Sequence, residues 1–177
     1  RALNGKPPNS MEINFGKTKI VYIDHHECHA ASAFYLSSFK KADVLTIDGH
    51  GEEETCYFGN FDGNNLKKLD SIKYPHSLGL FYGTFTDFLG FKPDVDEWKV
   101  MALSSYTKKN TYIKKVSKLV KLTKDGFELD LSFFDYYTFD RKKNFYTEKF
   151  TKLFGNKRSK NEKISSKHYE VAFAMQL

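Results

Sequence analysis

The chain has 177 residues, 40% of them hydrophobic, and 28 lysines and arginines against 22 aspartates and glutamates give a net charge of +6. This is room for one domain or two small lobes with a sizeable core, while the absence of any 18-residue apolar run excludes a membrane-spanning helix. The N-terminal stretch from Arg1 to Pro8 has no apolar segment of a signal peptide, and Cys28 and Cys56 lack C-x-x-C spacing, so a reducing, cytoplasmic setting is expected rather than a disulfide framework.

In chain order, residues 1–18 carry Pro7, Pro8, Asn9 and Gly16 and read as an irregular lead-in. A β-branched run from Lys19 to Ile23 predicts a buried strand. Asp24 then opens a helix to Ser38, with Glu27 three residues later in capping-box spacing. Strands follow at 42–47, 55–61 and 66–72; the first two are separated by the acidic, glycine-rich turn 48–52, the last two by the hairpin signal Asp62-Gly63-Asn64-Asn65. Together these elements predict a mixed α/β layer.

Beyond Pro75 the pattern changes. Residues 77–89 predict a helix capped by Ser77, with Leu78, Phe81, Phe85, Phe88 and Leu89 near a 3.6 period and Gly90 ending it. Helices are also predicted at 97–104, 111–119 and 146–154, a hairpin at 120–131, an irregular aromatic stretch at 132–145, a charged loop at 157–163, and a last helix capped by Ser166 that runs to Leu177 without a stop signal. Arg1 in place of Met and that unfinished helix suggest a piece of a longer protein. Residues 1–106 hold 11 basic against 14 acidic side chains, residues 107–177 hold 17 against 8. The basic excess is scattered lysine, which fits a solvated surface better than a nucleic-acid site.

Three histidines fall within five residues, His25, His26 and His29. On a helix, positions i and i+4 lie about one turn apart on one face, so His25 and His29 can share a metal ion, whereas His26 is rotated away by about 100° and is not expected to be a ligand. Glu27 is a further possible ligand already explained by capping. The second constellation is Asp48-Gly49-His50-Gly51-Glu52 between two strands. Asp48 at the strand end can bind a metal or its water. Glu52 can do the same or orient a substrate. Gly49 and Gly51 free the backbone for positive φ, so that successive N–H groups can turn to an anion. No helix follows, so this is neither a P-loop nor a dinucleotide fingerprint.

Four motifs in order carry a resemblance. They are Asp24-His25-His26-x-x-His29-Ala30-Ala31-Ser32-Ala33-Phe34, Thr46-Ile47-Asp48-Gly49-x-Gly51-Glu52, Tyr74-Pro75-x-Ser77-Leu78-Gly79-Leu80-Phe81-Tyr82, and the stretch from Asp96 to Tyr106. Residues 20–106 thereby resemble the O-carbamoyltransferases of nodulation and antibiotic biosynthesis (NodU/TobZ/CmcH-like), with Thr107 where family members often carry glycine. The resemblance implies an actin-like ATPase (ribonuclease H-like) lobe, here incomplete, and divides the chain into three parts. These are a metal- and phosphate-binding core over 19–72, a helical, aromatic-rich insertion over 73–165 and the start of a return helix over 166–177.

It also implies a carbamoyl group passed from carbamoyl phosphate, through carbamoyl-adenylate made with ATP, to a hydroxyl of a small molecule. His25 and His29 would bind a divalent metal, Fe2+ in members of this kind, with Asp48 as third ligand, and Gly49, Gly51 and Glu52 would face the phosphate. A YrdC-like domain would act in the full-length chain, and this piece alone would be inactive. Two other readings stay open: a tRNA threonylcarbamoyl-type or hydrogenase-maturation enzyme of the same fold, and a non-catalytic actin-like module with structural histidines. His50, His76 and Lys99 carry no assigned role, and His168 is expected to be structural.

Overall fold

The computed structural model describes residues 10–138 and 144–177. It falls into two compact units, Arg1–Tyr74 and Pro75–Leu177. The part of the lead-in at 1–9 and the part of the aromatic stretch at 139–143 lie outside the described residues.

In the first unit, β1 (Ser10–Phe15) and β2 (Thr18–Ile23) pair antiparallel, with Ser10 opposite Ile23 and Phe15 opposite Thr18. The lead-in therefore contains a strand that its prolines and Gly16 concealed. β2 was expected to be buried and is not: Ile20, Val21, Tyr22 and Ile23 are 37–55% exposed. A β-branched run encodes extended backbone, but burial needs a covering layer, and β2 belongs to a two-stranded sheet of its own.

Helix α1 (His25–Tyr35) leads to β3 (Lys41–Ile47), β4 (Glu54–Asp62) and β5 (Asn65–Lys73), an antiparallel sheet in the order β3-β4-β5. Mixed α/β architecture is thus present, with antiparallel pairing throughout. The helix is shorter than expected and lies on the sheet through Ala30 and Phe34, whose ring stacks on Phe61 of β4 at 4.0 Å. Ala30 has no exposed surface, so a larger side chain there would lift the helix from the strands. The predicted capping box does not form: Asp24 is the N-cap residue but its side chain makes no capping bond.

The second unit is built on α2 (Leu78–Phe88), capped as predicted by Ser77, whose Oγ accepts from the Leu80 N–H at 3.0 Å. It continues through α3 (Glu97–Ser104), a single turn α4 (Ile113–Val116), the hairpin β6 (Val120–Thr123) and β7 (Gly126–Leu129), α5 (Glu148–Phe154) and α6 (Ser166–Ala174). Phe81, Phe85 and Phe88 recur on one face of α2. Phe85 meets Phe150 and Phe154 of α5 edge-on at 5.3 and 5.4 Å. Burying each such ring contributes roughly 1.5–3 kcal/mol before entropy is counted.

The loop expected to be merely charged holds a structural cation. Arg158 is 6% exposed. Its backbone N–H donates to the Phe88 carbonyl at 3.0 Å, its Nε to Leu89 at 2.5 Å and its Nη1 to Glu162 at 2.6 Å. The guanidinium thus satisfies carbonyls at the negative end of α2.

Ser165, not Ser166, caps α6, and its N–H donates to Nδ1 of His168 at 2.9 Å. That bond needs an unprotonated Nδ1. Burial pushes the His168 imidazole below its usual value of 6.5, with Lys167 and Arg158 adding to the effect and Glu162 opposing it. The unfolded chain takes up the proton first as pH falls through 6.5, and the native state resists it. Stability is therefore expected to drop below pH 6.5 until the depressed folded value is passed. Thermal melts at pH 7.5 and 5.5 should show a lower midpoint in acid. His168→Gln preserves an acceptor in the capping position and should have a smaller acid loss; an identical loss would rule out His168 as its source.

Candidate metal centre

Helix α1 presents His25 and His29 one turn apart, and β3 ends at Ile47 so that Asp48 projects from the strand end beside them. Nε2 of His25 lies 2.7 Å from Asp48 Oδ2, Nε2 of His29 lies 3.0 Å from the same oxygen, and the two Nε2 atoms are 3.0 Å apart. Three groups expected from separate motifs therefore converge on one point. Two histidines and one aspartate thus form a possible metal-holding group among the described residues, their ligand atoms all within 4.8 Å of one another.

The spacing tests the fit. Divalent cations hold nitrogen and oxygen at about 2.0–2.2 Å, which puts neighbouring ligands of an octahedron about 3.0 Å apart and those of a tetrahedron about 3.4 Å apart. Edges of 2.7, 3.0 and 3.0 Å lie nearer the octahedral than the tetrahedral spacing. The side chains of His25, His29 and Asp48 are 41, 52 and 39% exposed, so the opposite positions would be open to solvent or substrate. A closed structural zinc site has no such opening.

Electrostatics agree with an anionic ligand. Burial works against ionisation of Asp48, but hydrogen bonds from His25, the Gly49 N–H and His29 outweigh it and hold the carboxyl below its usual range. The Gly49 N–H donates to Asp48 Oδ1 at 2.6 Å, which leaves Oδ2 turned to the imidazoles.

The turn itself differs from expectation. Neither Gly49 nor Gly51 is among the residues with positive φ. The Gly51 N–H is spent on the Glu54 carbonyl at 2.7 Å, so the pair forms no cradle of successive amides. Glycine at 51 has a different cause: a Cβ there would lie 3.0 Å from His26 Cδ2 and 3.1 Å from His25 Cβ. Glu52 was expected to face a ligand. Its Oε2 accepts from the His25 backbone N–H at 3.2 Å, so one of the unpaired N–H groups in the first turn of α1 is satisfied from across the turn. Glu27 lies outside the triad, and burial together with Asp24 pushes its carboxyl up.

His26 is 2% exposed and stands apart from the three converging donors, as its helical angle implied. Its Nδ1 is 2.6 Å from Thr46 Oγ1 and its Nε2 is 3.0 Å from the Glu54 carbonyl oxygen. Nothing in the sequence around His26 pointed to either contact, because both partners lie 20 or more residues away. Lys99 pairs with Asp96 at 2.7 Å, and His76 Nδ1 accepts from the Leu129 N–H at 3.0 Å, so both have local structural roles. Among the described residues, no helix is long and apolar enough to cross a membrane.

An α/β unit that gathers two histidines and one carboxylate at near-octahedral spacing defines a candidate divalent-cation centre built on a helix and a strand end. The chain belongs to the carbamoyltransferase N-terminus family, whose profile matches residues 11–177. It is 36% identical over 172 residues to an uncharacterised protein of Synechocystis, covering 94% of this chain and 28% of that one. It is 37% identical over 89 residues to nodulation protein NolNO of Sinorhizobium fredii, covering 50% of this chain and 13% of that one. With nodulation protein NolO of Bradyrhizobium diazoefficiens it shares 35% identity over 104 residues, covering 59% and 19%. The chain thus spans little more than a quarter, at most, of these relatives.

Proposed function

We propose that this chain supplies the metal-binding part of an ATP-dependent carbamoyltransferase that carbamoylates a hydroxyl of a small molecule such as a sugar, an antibiotic or a nodulation factor. The observation that carries the reading is the near-octahedral spacing of His25, His29 and Asp48, in a chain of the carbamoyltransferase N-terminus family. In the transfer step the acceptor oxygen bonds to the carbamoyl carbon of carbamoyl-adenylate, the bond from that carbon to the phosphate oxygen breaks, and AMP leaves as the hydroxyl proton is lost. A divalent cation, Fe2+ by family resemblance, would supply Lewis acidity toward the phosphate and carbonyl oxygens.

The chain's own residues do the rest. His25 and His29 offer Nε2, Asp48 offers anionic Oδ2, and Glu52 holds the first turn of α1. Because Gly51 donates internally, we assign phosphate recognition to the cation and its open positions rather than to the backbone of the turn. An actin-like lobe, a partner YrdC-like domain that activates carbamoyl phosphate, and a cytoplasmic location complete the proposal.

Full-length protein given carbamoyl phosphate, ATP and hydroxylated acceptors should release pyrophosphate and a carbamoylated product. Product formation unaffected by chelation and by the double replacement His25→Ala, His29→Ala would overturn the reading.

A further inference from the structure

We propose that His26 is the positioning residue of the candidate metal centre, acting through Thr46 and the Glu54 carbonyl; the inference rests on the metal-centre reading above. A buried imidazole is costly unless both nitrogens are satisfied. Here one partner lies on β3, two residues before Asp48, and the other begins β4, just after the turn. One ring therefore joins the helix that carries His25 and His29 to both strands flanking the turn that carries Asp48.

The bonds also fix its chemistry. The Glu54 carbonyl can only accept, so His26 Nε2 donates to it, and in the neutral ring Nδ1 accepts from the Thr46 hydroxyl. The bare Cα of Gly51 lets the turn close against His25 and His26. Without the ring, α1 keeps Ala30 and Phe34 on the sheet but loses the contact that sets its rotation at the first turn. Any rotation there moves Nε2 of His25 relative to Asp48. An apolar residue would fill the volume equally well, so two hydrogen bonds to opposite sides of the turn point to a geometric role.

The test uses full-length wild type, His26→Ala, His26→Gln and Thr46→Val, titrated with Co2+ alone by calorimetry, with thermal midpoints and circular dichroism measured on the metal-free proteins. Groups that orient ligands typically change metal affinity about 10–100-fold. Losses in that range are expected for His26→Ala and Thr46→Val at a temperature where both are folded, with His26→Gln recovering most of the affinity. Wild-type affinity in the folded variants, with only the midpoint lowered, would overturn the inference and leave the metal reading standing. A wild type that binds no Co2+ would overturn both. Should His26→Ala fail to fold, Thr46→Val decides, since it removes one hydroxyl at almost constant volume.

Discussion

Replacing His25 and His29 together by alanine is expected to abolish binding of Fe2+ or Co2+ while leaving the fold intact. Two of the three converging donors are lost, and a lone carboxylate on a surface binds divalent cations weakly. The affinity loss should exceed the roughly 100-fold upper limit for residues that only orient ligands. Stability should move little. Both rings are about half exposed, and exposed charged contacts of this kind contribute about 0–1 kcal/mol. Neither ring belongs to the small core of Ala30, Phe34 and Phe61. Calorimetric titration and thermal melting of the same samples separate the two effects. Undiminished affinity in the double variant would remove the cation from this site, and a collapsed melting transition would mean that the rings are structural.

The opposite pattern is expected at His26, where affinity falls partially and stability falls too. The contrast between the three histidines also marks what was legible in the sequence. The pairing of His25 with His29 follows from helical spacing alone, and Asp48 follows from its place at a strand end. What holds them together does not. Thr46 is one of several alternating positions on β3, and the Glu54 carbonyl belongs to a backbone that any residue provides; only the β3–β4 register brings both to one ring. Gly51 was noticed for the wrong reason. Glycine in an acidic turn suggests positive φ, yet its benefit is the missing Cβ against two imidazoles. Glu27 had the right spacing for a cap, but spacing within the helix cannot reveal that Glu52, folded back from another turn, binds the first-turn N–H of His25.

The same limit governs the fold. The turn signals that bound β3, β4 and β5 and the phenylalanine period of α2 are local, and these elements appear where expected. Burial of β2 and of Arg158 depends on what lies above them, which local pattern does not encode. Arg158 sits in a lysine-rich stretch and shares its charge pattern, but it is distinguished by three donors that reach the end of α2 and the carbonyl of Glu162.

Gly90→Ala is expected to destabilise the second unit strongly, because two independent penalties meet at one position. Its φ of 75° lies in the left-handed region, which costs a residue with a Cβ roughly 1–2 kcal/mol. The added Cβ would also fall 2.5 Å from the Arg158 carbonyl oxygen. That oxygen is backbone, on a residue tied to Phe88, Leu89 and Glu162, so it cannot swing aside as a flexible side chain would. Forced overpacking of this sort costs typically about 1–3 kcal/mol. The two penalties together give about 2–5 kcal/mol, a large share of the 5–15 kcal/mol by which domains are usually stable. Gly63→Ala is the control: its φ of 58° is similar, but nothing lies within 4 Å of the new atom. Denaturant melts of both variants should give a loss at Gly90 that exceeds the loss at Gly63 by at least about 1 kcal/mol, the low end of the overpacking cost. Equal losses would mean that backbone conformation alone accounts for glycine at 90 and that the Arg158 clamp yields to the intruding methyl.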